Sequence, residues 1–338
     1  MAQAFPKTRY GRLSPQQYVE GILHGERGVL ARAITVIESA LAADADLAGE
    51  ILAGVLPATG KARRIGITGV PGAGKSTFID ALGMHLINDR QEKLAVLSVD
   101  PSSPLSGGSI LGDKTRMERL SVEHNAFIRP SPARGHLGGV ARRTRETMLL
   151  CEAAGYGSIF VETVGVGQSE TAVRSMTDFF LLIMLAGAGD ELQGIKRGIL
   201  EMIDAMIINK ADGDNQSKAE AARTAYANAL HLFPATPDGW TPPVQTVSSL
   251  TGKGIPQVWD TILDHRARLE ENGYFASRRR NQALDWMREL ISSGLTDMFR
   301  DAPAVARQLP ALEDAVRNNR VTPVAAARTL LSTFNQKE

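Results

Sequence analysis

The sequence predicts an α/β fold: a mostly parallel sheet covered by helices on both faces, with helical N- and C-terminal extensions. Three observations predict it. From residue 63 the chain alternates short apolar runs with helical segments. One of those runs ends in a glycine-rich loop that opens a helix, and after Pro256 the strand-like runs stop. A length of 338 residues suits one α/β domain of roughly 200 residues with appendages. The expected boundaries are 1–62 for the N-terminal helical extension, 63–255 for the central domain and 256–338 for the helical C-terminal region.

In chain order, Ser14-Pro15 supplies an N-cap and a first helical residue. Tyr18, Ile22, Val29, Ile34, Ile37 and Leu41 then recur at near-helical spacing. The strand-like runs are Arg64 to Val70, Leu94 to Asp100, Ala126 to Ser131, Ser158 to Thr163, Phe179 to Leu185, Ala205 to Asn209 and Val244 to Val247. Helices are expected between them, among them Ser76 to Asn88 and Val140 to Ala154. Toward the C-terminus, Asp301-Ala302-Pro303 and Thr322-Pro323 are each placed to start a helix.

Composition narrows the function classes. Basic and acidic residues nearly cancel, 38 against 37, which disfavours a dedicated nucleic-acid binder. Hydrophobic residues at 43% disfavour a disordered chain. One cysteine excludes an intrachain disulfide framework and an all-cysteine zinc site. No apolar run reaches the roughly 18 residues that cross a bilayer, so no membrane partner is expected. The opening residues lack a secretory apolar stretch, which makes the cytoplasm the expected location. Lys7, Arg9 and Arg12, with no acid before Glu20, leave organelle import open. Glycine is in excess, and 19 of the 32 fall between Gly66 and Gly198, where backbone must approach something closely.

Part of that excess has a chemical reason. Gly69-Val70-Pro71-Gly72-Ala73-Gly74-Lys75-Ser76-Thr77 fits the phosphate-loop pattern, directly after a strand and at the start of a helix. Glycines at these positions let successive amides point into a phosphate-sized nest at a helix N-terminus. Lys75 brings charge to the outer phosphates, and the Ser76 hydroxyl can ligate Mg²⁺. The chain is expected to bind a nucleoside triphosphate on a P-loop NTPase sheet.

Asn209-Lys210-Ala211-Asp212 closes an apolar strand with an NKxD pattern. Asp212 can accept two hydrogen bonds from guanine that adenine cannot present, and the Lys210 stem can pack on the base. Ser248-Ser249-Leu250, after the next strand, suits a loop closing over the base. For Mg²⁺, the acids following strands or set in glycine-rich loops are Asp100, Asp113 and Glu162, and the Gly165 amide would face the γ-phosphate. Gln168 and Asp100 are the alternatives for orienting the attacking water, with Lys75 as the charge stabiliser.

The segments Gly69–Thr77, Val99–Ser103, Gly107–Thr115, Val161–Glu170 and Asn209–Asp212 together resemble those of the MeaB/MMAA GTPases, also known as ArgK-like. The resemblance covers nearly the whole chain. It implies a GTP-hydrolysing metallochaperone that binds GTP or GDP and Mg²⁺. Such a protein gates adenosylcobalamin delivery to methylmalonyl-CoA mutase and protects that enzyme. It also implies a homodimer held largely by the C-terminal arm. Asp100 to Asp113 then corresponds to a first switch, Glu162 to Glu170 to a second, and Leu185 to Lys196 to a third that reports nucleotide state.

Other features are read more plainly. Arg134, Arg142, Arg143 and Arg145 suit a solvated helix face, with a partner-binding or trans-acting arginine as the alternative. Cys151 is expected in the core, and Trp240, Trp259 and Trp286 in packing or interfaces. The six histidines show no paired ligand spacing, so a protein metal site of that type is not expected. A P-loop kinase, a nickel-insertion type GTPase and a pure regulatory switch remain open as other functions.

Overall fold

The computed structural model describes residues 12–39, 41–99, 117–130, 137–163, 169–186, 197–233, 236 and 238–335. The chain forms two compact units that divide after Ala276.

The first unit opens with three helices, α1 (Pro15–Leu23), α2 (Arg27–Glu38) and α3 (Ala42–Val55). Ser14 and Gln17 cap α1 reciprocally: the Gln17 amide donates to Ser14 Oγ at 3.2 Å, and Gln17 Oε1 accepts from the Ser14 amide at 2.9 Å. Gly25, with φ +73°, breaks the run before α2. Tyr18, Ile22, Ile34 and Ile37 are buried as the periodicity predicts, but Leu41 is exposed. It stands at the position just before α3, where the helical phase of the earlier residues no longer applies.

The sheet follows as β1 (Arg63–Gly69), β2 (Leu94–Val99), β3 (Ala126–Arg129), β4 (Ser158–Thr163), β5 (Phe179–Leu185), β6 (Ala205–Asn209) and β7 (Val244–Thr246). Their order is β3-β2-β4-β1-β5-β6-β7, and every pairing is parallel. The intervening helices are α4 (Lys75–Arg90), α5 (Glu118–Val122), α6 (Leu137–Ala153), α7 (Ser169–Arg174), α8 (Arg197–Leu200) and α9 (Gln216–Leu230), and α10 (Ile255–Glu271) follows β7. The strands are buried on both faces, so they read as continuous apolar runs rather than alternating ones. Ile65, Ile67, Phe160 and Leu181 pack with Phe78 and Leu82 of α4 and with Trp259 of α10. The opposite face packs against α6, α9 and the N-terminal helices. Parallel connectivity brings the ends of β1, β2, β4 and β6 to one edge, where the candidate residues collect.

The second unit comprises most of α11 (Tyr274–Asp301), then α12 (Pro303–Arg317) and α13 (Pro323–Asn335). Pro303 and Pro323 begin their helices, where the missing amide costs no hydrogen bond. Phe299 and Phe334 meet edge to face, 5.4 Å between centroids. Along α11, Leu284, Met287, Ile291, Leu295 and Met298 are 47–63% exposed.

Candidate nucleotide and metal site

The phosphate loop runs from the end of β1 into α4, and its glycines are there for steric reasons. A Cβ on Gly69 would lie 2.3 Å from the Ile183 carbonyl oxygen of neighbouring β5. Gly74 has φ +81°, and a Cβ there would meet Asn209 Nδ2 at 2.9 Å. The loop is therefore threaded between β5 and the end of β6. Lys75 Nζ donates to the Gly69 and Val70 carbonyls at 2.8 and 3.4 Å, so its ammonium is folded back over its own loop. Pro71 and Gly72 form the turn, Ala73 is buried, and Thr77 follows Ser76 in the first turn of α4.

The NKxD segment is bolted to that loop. Asn209 Nδ2 donates to the Ala73 carbonyl at 2.8 Å, while Asn209 Oδ1 accepts from the Ser249 amide and hydroxyl at 3.2 and 2.8 Å. Ser248 Oγ donates to Asp212 Oδ2 and accepts from the Thr251 amide at 3.1 Å. Lys210 adopts φ +58°, a left-handed conformation that ordinary residues rarely take. Asn215 Nδ2 caps the Lys210 carbonyl at 2.8 Å, which helps to hold that turn. Leu250, beyond the two serines, is 82% exposed. The buried network thus fixes the Asp212 carboxylate from one side.

On the other side of β1, Glu162 sits near the end of β4, in register with Ile67 of β1 and Ser98 of β2. Ser76 Oγ donates to Glu162 Oε1 at 3.3 Å. A hydroxyl and a carboxylate so placed form an all-oxygen donor pair, the chemistry that Mg²⁺ takes. Thr163 Oγ1 donates to Thr68 Oγ1 at 2.8 Å, a buried link between adjacent strand ends that was not singled out from sequence. Asp100, Asp113, Gly165 and Gln168 lie outside the described residues, as does most of the third candidate switch.

Asp80 was likewise not singled out. It is a buried acid on α4, bonded to Arg119 and to the Leu120 amide. Its sequence signal is an acid inside the apolar stretch Phe78 to Leu82.

The arginine expectation needs correction. Arg142 is exposed and pairs with Glu146 at 3.1 Å, but Arg145 is buried and donates to Ser175 Oγ at 2.6 Å. α6 packs against α2, α3 and α7, so only part of its circumference faces water. Arg134 is outside the described residues. Burial pushes the Glu146 carboxyl up from the usual range, against the opposing pull of Arg142. Cys151 is fully buried, and the same desolvation raises its thiol pKa.

A parallel sheet with a phosphate loop after β1 and an NKxD segment after β6 defines a P-loop GTPase. Residues 30–304 match the family described as Methylmalonyl Co-A mutase-associated GTPase MeaB, and the chain belongs to that family. It is 45% identical over 312 residues to the Escherichia coli GTPase ArgK, spanning 92% of this chain and 94% of that one. It is 42% identical over 327 residues to the mouse mitochondrial methylmalonic aciduria type A homolog, spanning 94% and 79%. A solved structure described as LAO/AO transport system kinase superposes with a TM-score of 0.75 at 38% identity, covering 96% of this chain and 98% of that one. The protein is a GTPase that binds GTP and GDP.

Proposed function

We propose that this GTPase is a metallochaperone for an adenosylcobalamin-dependent methylmalonyl-CoA mutase, gating cofactor delivery and protecting the enzyme. The family's description as mutase-associated supports the partner, and the mouse relative's name points to the same metabolism. The observation that carries the nucleotide half is the convergence of Lys75, Ser76, Glu162, Asn209 and Asp212 on one sheet edge.

In this reading Lys75 exchanges its carbonyl partners for outer phosphate oxygens, and the loop amides of Gly69 to Thr77 cradle the rest. Ser76 and Glu162 hold Mg²⁺, joined by Asp100 and Asp113. When bound, Mg²⁺ neutralises charge on the phosphates. Asp212, oriented by Ser248, reads the guanine edge, with Lys210 and Leu250 beside the base. Gln168 or Asp100 orients water, and the Gly165 amide faces the γ-phosphate. The three switch segments, Asp100–Asp113, Glu162–Glu170 and Leu185–Lys196, carry nucleotide state to the mutase.

A cytoplasmic homodimer completes the proposal. The exposed stripe on α11 repeats at three- and four-residue intervals, the spacing of a helix–helix seam between copies. Ile291→Glu is expected to yield a monomer by light scattering; a dimer unchanged by that substitution removes the stripe from the interface.

The deciding measurement is GTP hydrolysis by the purified protein with and without the mutase. Stimulation by the mutase supports the chaperone. A second reading, a phosphotransferase, draws on the kinase description of one solved relative. Stoichiometric phosphate transfer from GTP to a small molecule or protein would favour it instead.

A further inference from the structure

We propose that Asp80 is a positioning residue for GTP hydrolysis, holding the downstream root of the first candidate switch against the phosphate-loop helix. Asp80 lies four residues after Ser76 on α4, and at that spacing the two share one face of the helix. Its side chain is nine-tenths buried. Oδ1 accepts from the Leu120 amide at 2.9 Å, and Oδ2 accepts from Arg119 Nε at 2.7 Å. Arg119 and Leu120 belong to α5, the helix that follows the stretch 100–116.

The root is fixed by packing as well. Met117 and Leu120 are fully buried, and a Cβ added to Gly83 of α4 would lie 2.8 Å from a Leu120 methyl. The upstream root is equally fixed, since Val99 of β2 pairs with Thr163, next to Glu162. Val99 on one side of residues 100–116, and Arg119 and Leu120 on the other, are thus each fastened to the elements that present Glu162 and Ser76. An apolar side chain would fill the site of Asp80 at less desolvation cost. The carboxylate instead joins two elements by directed bonds, which packing alone does not supply.

The consequence separates turnover from binding. The amides of the phosphate loop, Lys75 and Asp212 hold a diphosphate nucleotide, and none of them bonds to Asp80. Phosphoryl transfer depends on groups brought by the first switch, and a misplacement of ~1 Å can cost about 100-fold in rate. The inference rests on the first switch lying at Asp100–Asp113, as proposed above.

The test compares kcat for GTP hydrolysis with the Kd for GDP in full-length Asp80→Ala and Asp80→Asn variants. Asp80→Ala is expected to lose ~10-fold or more in kcat, with GDP affinity within about threefold of wild type. Asp80→Asn keeps an acceptor for the Leu120 amide and is expected to recover most of that loss. Wild-type kcat in Asp80→Ala overturns the proposal, and so does an equal loss of kcat and GDP affinity. If Asp80→Ala does not fold, Arg119→Glu at the exposed end of the pair decides. A lowered kcat with GDP affinity kept supports the proposal, and an unchanged kcat sinks it. Asp100→Ala with undiminished turnover would instead show that the switch itself is misplaced.

Discussion

Asn209 Nδ2 lies 2.8 Å from the Ala73 carbonyl oxygen, a hydrogen bond between residues 136 positions apart in sequence. It ties the end of β6 to the phosphate loop, so the segments proposed to read the base and to hold the phosphates share one support. Asn209 Oδ1 extends the tie to Ser249.

Replacing Asn209 by Ala leaves the Ala73 carbonyl and the Ser249 amide without their partners in a buried setting. Each orphaned group costs about 1–3 kcal/mol. GTP and GDP affinities are expected to fall together, by ~10-fold or more, as titration calorimetry would read. A loss confined to GTP would contradict the shared support, because both nucleotides use it.

Asp212 is held by Ser248 Oγ on one carboxylate oxygen. The Asp212→Asn substitution turns one acceptor into a donor, which suits xanthine better than guanine. The expected outcome is a shift of at least ~100-fold in the ratio of xanthosine to guanosine triphosphate affinity. Competition binding with both nucleotides measures it, and an unchanged ratio assigns base recognition elsewhere.

Lys75→Ala and Glu162→Gln divide charge stabilisation from metal binding. The first is expected to abolish hydrolysis, because Lys75 is the one basic residue in Gly69–Thr77. The second keeps the Ser76 contact but weakens the hard-oxygen donor set. It is expected to raise the Mg²⁺ concentration needed for half-maximal rate by ~10-fold or more. A Mg²⁺ titration with the wild-type midpoint would remove Glu162 from the metal site.

Glu146 is half of an ion pair on α6, yet burial outweighs Arg142 and raises its pKa. The sign of the linkage follows. A carboxyl raised in the folded state favours folding when protonated, and this contribution is lost as pH rises through the folded pKa. Glu146→Gln, which stays neutral, is therefore expected to raise the melting temperature at pH 8. The gain should shrink as pH falls through the raised folded pKa and disappear below the ordinary carboxyl range. A gain that persists at acid pH would trace to packing rather than charge.

Much of the fold was legible locally. The seven apolar runs match β1 to β7 within about two residues, because strands buried on both faces need no alternation. Pro303 and Pro323 marked helix starts, since proline restricts backbone geometry within a single residue. The residues of the phosphate loop and of the NKxD segment were legible for the same reason: their chemistry is written in contiguous residue types. Where local spacing misled, the surroundings had changed. Leu41 follows the helical count of α1 and α2 but lies outside both, and Arg145 looked solvated until α6 was packed against α2, α3 and α7.

The sequence by itself thus determined the class of fold, the order of its strands and the motifs proposed to bind phosphate and base. Only the tertiary structure decided how those motifs are joined. Asn209 to Ala73, Ser76 to Glu162 and Asp80 to Leu120 are bonds between residues at least 40 positions apart. No local propensity encodes such pairs, because each partner's position depends on the register of a different strand. The parallel sheet sets those registers together, and it is the sheet that brings separate motifs to one candidate site.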